Sequence, residues 1–379
     1  MRKITRRSML RATLSVPILP VACAEATPLE GGDVSNTHSA TISWGANTFL
    51  HLDSERWRRK KTLEMAARAG IGWIKQHFPW DDIESAGKGQ FVHPTWKFPT
   101  WDKYDEIVEL AEEAGVNIIA RVDRTPSWAR PENSTPTEPP TDLDDYGDFI
   151  SAIVRRYSSR IRHFQIWNEP NLAIEWGGNP PDAVRYVQLL ETAFSAAVSE
   201  EPETVVLGAP LAATLEMSNR ARNELVYFQQ IYDAGGADYF HVHSANAFGL
   251  AFPPEAPPDP EVLNFRRVEL SRAVMEQNGD GNKPIWFNEY GWNASPADFL
   301  ADQLTWARVT EDQQAEWTVR GVEFARANWP WAGVFNIWFF RRPFADIDPS
   351  KSEYYFRMID PDFTPRTIYK AVAKAANKR

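Results

Sequence analysis

Cysteine is nearly absent from this sequence. Its 379 residues include only one, Cys23, so the chain can form no internal disulfide and offers no cluster of thiolates for a metal. Positive charge is also in short supply, because 41 Lys and Arg against 51 Asp and Glu give a net charge of −10. An acidic surface repels nucleic acids and anionic membranes, so we expect neither as a partner. A neutral ligand fits this charge better.

The chain also lacks a long apolar run that could anchor the mature protein in a membrane. The apolar stretch at 14–24 is too short to span a bilayer. It follows a basic start with adjacent Arg6 and Arg7, and it ends in Ala22-Cys23-Ala24, a small-residue cleavage site. Together these features are typical of a twin-arginine export signal. We therefore predict a bacterial protein that works in the periplasm or outside the cell.

Two other interpretations of the N-terminus stay open. It could be a disordered cytoplasmic tail, or Cys23 could be the lipid-modified first residue of a lipoprotein. Pro20 stands where lipoprotein signals usually carry Leu, which argues against a lipid anchor. We predict no stable membrane insertion, and we divide the chain into a signal peptide at 1–26, an N-terminal segment at 27–39 and one folded domain at 40–379.

From about residue 40 onward, short apolar and β-branched runs alternate with amphipathic stretches. Strands are predicted at 41–50, 72–78, 116–122, 163–167, 204–211, 239–244, 284–289 and 333–340. Helices are predicted between and after them, at 57–69, 101–114, 143–157, 183–198, 225–233, 262–277, 312–327 and 367–376. Eight such β-then-α units are typical of a single (β/α)8 TIM barrel, in the α/β class.

The lengths of the connections support this barrel. Helix-to-strand connections are short, whereas five strand-to-helix loops are long, and all five would lie on the face where barrels of this kind build their sites. They span 79–100, 123–142, 249–261, 291–311 and 341–366. Two of them are rich in proline, which makes an interdomain linker the competing interpretation. Barrel units continue on both sides of each, so we favour loops of one domain.

Two glutamates follow candidate strands on roughly opposite sides of the barrel. Glu169 lies in "QIWNEPN" after the fourth strand, Glu289 lies in "KPIWFNEYGWN" at the seventh, and each is preceded by an asparagine. Facing carboxyl groups are what retaining glycosidic cleavage needs, with one acting as a proton donor and the other as a nucleophile about 5–5.5 Å away. The neighbouring negative charge, together with an apolar wall of Trp167 and Trp176, could keep the donor protonated.

Several motifs resemble those of the clan A (β/α)8 retaining glycoside hydrolases, in particular family 39-like members of this cellulase-type group. The two glutamate motifs carry most of the resemblance, and "WIKQHFPWDDIE", "RVDRTPSWA" and "NIWFF" look like the second, third and eighth strand ends. The resemblance covers essentially the whole predicted mature chain. It implies a barrel enzyme that uses neither a metal nor an organic cofactor.

Carried over residue by residue, the resemblance implies roles for four positions. Glu169 matches the acid/base, Glu289 the nucleophile, Asn168 the residue that binds the sugar 2-hydroxyl, and Trp338 the aromatic floor under the cleaved sugar. There is one departure. Relatives often carry an arginine on strand two that steadies the nucleophile, where this sequence has Lys75.

His241 and His243 form an H-x-H pair on the predicted sixth strand, where alternate residues share a face. Two imidazoles so placed could bind zinc, but no third ligand recurs at the other strand ends. We therefore expect no metal, with His243 at the barrel mouth contacting the nucleophile or a sugar hydroxyl and His241 in a structural role.

Aromatic residues are abundant, with 16 tryptophans. Several fall in the long loops, and sugar rings stack on such side chains while their hydroxyls need polar partners. Each tryptophan taken singly is better explained by packing. The loop tryptophans are Trp80, Trp128, Trp176, Trp292 and Trp306, and the polar candidates are Asn47, Lys75, Asp123 and Asn246.

The sequence thus predicts an exported, monomeric retaining glycoside hydrolase that acts on a polysaccharide or oligosaccharide. A non-catalytic glycan-binding protein on the same barrel is the alternative, since the absent strand-two arginine weakens the case for catalysis. A metal-dependent hydrolase would need ligands that the sequence does not offer.

Overall fold

The computed structural model describes residues 42–343 and 346–378. The predicted signal peptide at 1–26 and the segment at 27–39 lie outside these residues. Eight parallel strands form one sheet. They are β1 Ser43–Thr48, β2 Trp73–His77, β3 Asn117–Val122, β4 His163–Ile166, β5 Val205–Leu207, β6 His243–Phe248, β7 Ile285–Gly291 and β8 Ala332–Ile337.

The sheet curls into a nearly closed barrel. Its order is β5-β4-β3-β2-β1-β8-β7-β6, and β5 meets β6 through a parallel bridge between Leu207 and Val242. The Gly208 N–H also donates to the Val242 carbonyl at 3.1 Å. The predicted (β/α)8 barrel is therefore confirmed.

Helices follow the strands and cover the outside of the barrel. They are α1 Arg56–Arg68, α2 Trp80–Ile83, α3 Asp102–Ala114, α4 Leu143–Tyr157, α5 Ala183–Glu200, α6 Glu224–Asp233, α7 Val268–Gln277, α8 Glu311–Asn328 and α9 Thr367–Ala376. Capping explains several starts. The side chains of Asp142, Asp182 and Thr310 accept hydrogen bonds from the first-turn N–H groups of α4, α5 and α8. Among the helices of the described residues, none has the length and apolarity needed to cross a bilayer.

The barrel interior has two halves of different character. The lower half, beneath the strand ends that carry the loops, is filled by a lower hydrophobic layer of Ile119, Val205, Leu207, Val242, Trp286 and Val334, with Trp73 packed against it. Trp286 stacks on His163 at 5.0 Å and meets Trp73 edge-on at 5.1 Å. Glycine at 333 makes room for this indole, because a Cβ there would lie 2.2 Å from Trp286 Nε1. The polar side chains lie above this layer.

The sixth strand differs most from the prediction. It was expected at 239–244 but runs over His243–Phe248, and Tyr239 ends a 3-10 helix instead. The apolar run before it gave a strand-like pattern, whereas the true strand, HSANAF, contains no β-branched residue. The following helix also begins later than expected, at Val268, after a 3-10 turn at Phe265–Arg267.

Candidate active site

The stretch that carries Glu169 leaves β4 in an unusual backbone conformation. Trp167 has φ of 70° and Glu169 has φ of 40°, a left-handed region that non-glycine residues rarely adopt. The Trp167 N–H still donates to the β3 carbonyl of Val122 at 3.0 Å, and the Glu169 N–H donates to Pro210 O at 3.0 Å. These two strained residues turn the chain directly after β4, where Glu169 lies.

Asn171 holds this turn against the loop after β5. Its Nδ2 donates to the carbonyls of Ala212 and Arg222, each at 2.9 Å, and its Oδ1 accepts from the Ala212 N–H at 2.9 Å. The side chain is fully buried. A satisfied buried amide of this kind fixes one arrangement of the loops. The segment that carries Glu169 is thus bonded to β3 through Trp167 and to the loop after β5 through Asn171.

Glu289 lies on β7, next to an irregularity in the pairing of β7 with β6. Ala245 pairs with Phe287, but Asn246 pairs with Glu289, which leaves Asn288 as an extra residue. The Glu289 carboxylate accepts a hydrogen bond from Lys75 Nζ at 2.8 Å, and both side chains are buried, with exposures of 10% and 4%. Lys75 thus places a cation from strand two against Glu289, at the strand where the sequence lacks an arginine.

Asn246 links Glu169 to the strand that carries Glu289. Its Nδ2 donates to Glu169 Oε1 at 2.6 Å, and its Oδ1 accepts from Asn288 Nδ2 at 2.9 Å. Asn246 is also the pairing partner of Glu289 on the neighbouring strand, so its side chain joins Glu169 to the part of β7 that carries Glu289. The predicted sugar-binding Asn246 therefore orients Glu169.

The two glutamates have different electrostatic surroundings. Burial, followed by the negative charges of Glu289 and Glu175, raises the pKa of Glu169 to about 8, although the hydrogen bond from Asn246 acts in the opposite direction. Glu289 has the Lys75 ammonium against it, whereas Glu169 has a neutral amide. At neutral pH Glu169 therefore carries a proton that it can donate.

A second ionic group lies at the ends of β2 and β3. Asp123 is bridged by Arg121 at 2.6 Å and by a short contact from His77. Burial acts to raise the pKa of Asp123, but Arg121 and His77 outweigh it and hold that pKa well below its usual range. Asp123 is thus a fixed carboxylate. A cavity of about 450 Å³ opens beside His77 and is lined by polar side chains that include Asp81 and Arg124.

Glu175 is a third acid near the pair. Burial raises its pKa, and Asn168 donates a hydrogen bond to its side chain. Asn168 is itself buried, and its Oδ1 has no hydrogen-bond partner among the described residues. Asn168, the residue next to Glu169, is thus bonded to Glu175, and its Oδ1 is enclosed in the fold.

Two predicted sugar-binding residues lie elsewhere. The amide of Asn47 donates to the carbonyls of Asn288 at 3.0 Å and Ile337 at 3.4 Å, so it ties β7 to β8 instead of facing a ligand. His243 is the first residue of β6, far from the mouth end of that strand, and its ring stacks on Phe228 of α6 at 4.0 Å. The expected place of His243 at the barrel mouth is therefore wrong, because the strand begins four residues later than predicted.

The two histidines of the H-x-H pair have different surroundings. His241 precedes β6, and its Nδ1 accepts from the Val206 N–H at 3.0 Å. Within the described parts of the chain, no group of three or more His, Cys, Asp or Glu is arranged to hold a metal ion.

The loop tryptophans are mostly packing residues. Trp80, Trp176 and Trp292 are all at least 97% buried. Trp176 meets Trp167 edge-on at 5.7 Å, and its free edge lines a groove of about 850 Å³ beside α5. Burial of the large indole in the loop layer stabilises the fold and removes it as a sugar platform, which corrects the prediction for Trp176.

Trp338 is better placed for a ligand. It follows β8, is partly exposed, and its ring centroid lies 6.0 Å from Lys75 Nζ, the cation bound to Glu289. An aromatic ring therefore lies near the Lys75–Glu289 ion pair, and its role as a floor under the cleaved sugar stays a prediction.

The sequence did not single out Arg121, Glu175 or Arg342, which belong to the same region. One signal could have found Arg121, since it lies two residues before Asp123 on a strand and alternate strand residues share a face. No such pattern identifies Glu175 or Arg342, which lie in loops.

Comparisons of sequence and of structure give different results. No family model matches the chain, and no curated protein matches it. Solved structures do. A family 39 glycoside hydrolase from Bacteroides cellulosilyticus WH2 is similar with a TM-score of 0.65 and 19% identity, over 90% of this chain and 64% of that one.

Two further structures extend this likeness. A monomeric β-xylosidase from Caulobacter crescentus CB15 has a TM-score of 0.60 and 16% identity, over 88% of this chain and 67% of that one. An exo-β-1,4-mannosidase from an Opitutaceae bacterium has a TM-score of 0.60 and 13% identity, over 90% of this chain and 60% of that one. This chain thus spans about two thirds of their length. At sequence identities this low, the structural similarity shows a shared fold and no more.

Proposed function

We propose that this protein is a retaining glycoside hydrolase that cleaves O-glycosidic bonds of a polysaccharide or oligosaccharide. The single observation that carries the proposal is the unequal carboxyl pair: Glu289 is bound by the Lys75 ammonium at 2.8 Å, while Glu169 is bound by the neutral Asn246 amide at 2.6 Å. One carboxylate and one carboxylic acid, close together, are the two groups that the double displacement requires.

In the first step the Glu289 carboxylate attacks the anomeric carbon and forms a glycosyl ester. The bond from that carbon to the leaving oxygen breaks, and Glu169 gives its proton to this oxygen. In the second step the Glu169 carboxylate takes a proton from water as the water oxygen attacks the same carbon. Glu289 is then released as a carboxylate, and Glu169 has its proton again.

The environment of Glu169 suits both steps. Its pKa of about 8 keeps it protonated at neutral pH for the first step. The covalent ester removes the charge of Glu289, which is the largest electrostatic contribution to that high pKa after burial. The pKa of Glu169 should then fall, so it can act as a base in the second step.

The structural neighbours support a carbohydrate substrate. They are described as a family 39 glycoside hydrolase, a β-xylosidase and an exo-β-1,4-mannosidase. Their names point to different sugars, so they support the class of reaction and leave the sugar to be found by screening a glycan panel for released sugars.

A covalent trap tests the nucleophile. Activated 2-deoxy-2-fluoro glycosides, offered as a panel of sugars, should accumulate as an ester that peptide mass spectrometry locates on Glu289. The Glu289→Gln variant should remain unlabelled, and Glu203→Gln, at an exposed side chain, is the matched control that should label like the parent. An ester on another residue would contradict the assignment of Glu289.

Loss of the proton donor tests Glu169. The Glu169→Ala variant should lose turnover of substrates with poor leaving groups by about 100-fold or more, and azide should restore turnover of an activated one. If the poor-leaving-group substrate is turned over as before, Glu169 is not the acid/base.

The alternative function is glycan binding without catalysis. It would be favoured if the protein bound sugars measurably while no member of the panel labelled Glu289. We also propose export through the twin-arginine signal at Arg6-Arg7, and a monomer in solution, which the mass from light scattering would check.

A further inference from the structure

Arg342, in the loop after β8, is a largely buried guanidinium near the candidate nucleophile. Its side chain is 27% exposed. The guanidinium carbon lies 3.9 Å from the ring centroid of Phe49 and 5.6 Å from that of Trp338. Aromatic rings thus cover this cation and remove much of its contact with water.

The hydrogen bonds of Arg342 are incomplete. Its Nε is buried and has no partner among the described residues. Within the described parts of the chain its one ion pair joins Nη1 to Asp346 at 3.3 Å, and the Asp346 side chain is 34% exposed. Burial lowers the pKa of Arg342, which reflects the poor compensation of its charge. A buried charge in this state is costly unless a further acceptor satisfies it.

The preceding residue shows what a satisfied arginine looks like in the same loop. Arg341 forms a short ion pair with the Asp53 carboxylate, and it donates to Thr62 Oγ1 at 3.1 Å and to the Pro361 carbonyl at 3.3 Å. All these partners belong to the fold. Arg341 therefore stabilises the loop, whereas Arg342 has one ion pair, with Asp346, among the described residues.

The position of Arg342 connects it to the reaction site. Trp338 has Arg342 at 5.6 Å from its ring and Lys75 at 6.0 Å, and Lys75 binds Glu289 at 2.8 Å. A sugar ring that stacks on Trp338 with its anomeric carbon at Glu289 would have its outer substituents near Arg342. In a hexuronic acid, the carboxylate is carried by the carbon next to the ring oxygen.

We propose that Arg342 binds the carboxylate of an acidic sugar, so that the substrate contains a uronic acid unit. The inference rests on the proposed function for the placement of the sugar. A guanidinium binds a carboxylate through charge-assisted hydrogen bonds. The Nε of Arg342 is enclosed in the fold, so the terminal nitrogens, of which Nη1 also faces Asp346, supply these hydrogen bonds. The net charge of −10 favours a neutral ligand overall. Locally, however, Lys75 and Arg121 are paired with Glu289 and Asp123 at 2.8 Å and 2.6 Å, whereas among the described residues Arg342 has the longer pair with Asp346 at 3.3 Å.

The competing explanation is that Arg342 only packs on Phe49 as a structural cation–π pair. In that case the protein would not distinguish a charged sugar from a neutral one. The test therefore compares ligands that differ only in the carboxyl group, which leaves the protein unchanged.

The experiment measures binding of free hexuronic acids, their uronamides and the matching aldoses to the full chain by calorimetry. Several sugar configurations are used, because the configuration is not known. Loss of one charge-assisted contact corresponds to about 10- to 100-fold in affinity. The best uronic acid should therefore bind the parent at least about tenfold more tightly than its uronamide. The Arg342→Gln variant should lose this difference, Arg342→Lys should keep part of it, and Arg220→Gln, at an exposed arginine, should keep all of it.

Each outcome decides between the two explanations. Equal binding of uronic acid and uronamide by the parent, or no binding of either, overturns the role of Arg342. So does a preference that survives in Arg342→Gln. If that happens while Glu289 is still labelled by a fluoro glycoside, the proposed function stands alone. If the preference depends on Arg342 but no glycoside labels Glu289, the protein binds acidic glycans and the hydrolase proposal fails.

Discussion

Replacing Glu169 by glutamine should make the folded protein more stable at neutral pH, and this gain should disappear in acid. Glutamine resembles the protonated carboxyl group, and its oxygen can still accept the hydrogen bond that Asn246 gives to Glu169 Oε1 at 2.6 Å. The substitution removes a group that cannot ionise freely in the native state.

The sign follows from the direction of the pKa shift. The pKa of Glu169 is raised from 4.5 to about 8 in the folded protein, so between these values the native state holds a proton that the unfolded state releases. The parent protein therefore loses stability as the pH rises from about 4.5 to about 8, at about 1.36 kcal/mol for each pH unit. By pH 7 this amounts to at most about 3 kcal/mol, because Glu169 is partly open to solvent.

Urea unfolding of the parent and of Glu169→Gln, at about pH 5 and about pH 7, measures the difference directly. The advantage of the variant should grow by roughly 2 kcal/mol between the two pH values. Glu203→Gln, at a side chain that is 68% exposed, should differ from the parent by no more than about 0.5 kcal/mol at either pH. An advantage of Glu169→Gln that is the same at both pH values would refute the raised pKa, and with it the reason for assigning Glu169 as the acid.

Three further predictions concern activity and export. Turnover of a substrate with a poor leaving group should fall as the pH rises through about 8, since Glu169 then loses its proton, and this alkaline limb of kcat/KM should be absent in Glu169→Gln. The Lys75→Met variant should lose about 100-fold or more in kcat and be destabilised by roughly 3 kcal/mol, because it leaves the Glu289 charge buried and unpaired. Lys75→Arg should retain part of the activity and part of the stability. Kinetics and urea unfolding of Lys75→Met that match the parent would contradict the role of this ion pair. Changing Arg6 and Arg7 to lysine should retain the protein in the cytoplasm, as cell fractionation would show, and mass spectrometry of the mature N-terminus should find either cleavage near Glu25 or a lipid on Cys23.

The alternation of strands and helices was enough to predict the barrel, because each unit carries a local pattern of its own. Glu169 and Glu289 could be placed for the same reason: Glu169 follows β4 and Glu289 lies in the carboxyl-terminal half of β7, and barrel geometry brings these ends of the strands together. The sixth strand failed this test. The strand includes Ser244 and Asn246. Polar residues that belong to the candidate site interrupt the run of apolar and β-branched residues by which a strand is predicted.

Contacts between distant parts of the chain could not be read from sequence. Lys75 and Glu289 are 214 residues apart, and neither neighbourhood shows that the two groups form an ion pair. Burial was equally hidden: Trp176 and Trp96 both lie in loops, yet one is 3% exposed and the other 73%. Loop conformation decides such outcomes, and it depends on side-chain hydrogen bonds such as those of Asn171.

The lower hydrophobic layer fills one end of the barrel and leaves the other end as the only way in for a ligand among the described residues. Trp286, Trp73 and the aliphatic side chains around them close its floor, so no molecule can pass through the barrel from end to end. If the protein hydrolyses glycosides, the leaving sugar must withdraw through the mouth before water can reach the glycosyl ester by the same route. A second sugar bound at the mouth would then compete with water for the glycosyl ester. Occupancy of the mouth would therefore set the ratio of hydrolysis to transfer of the glycosyl group to another sugar.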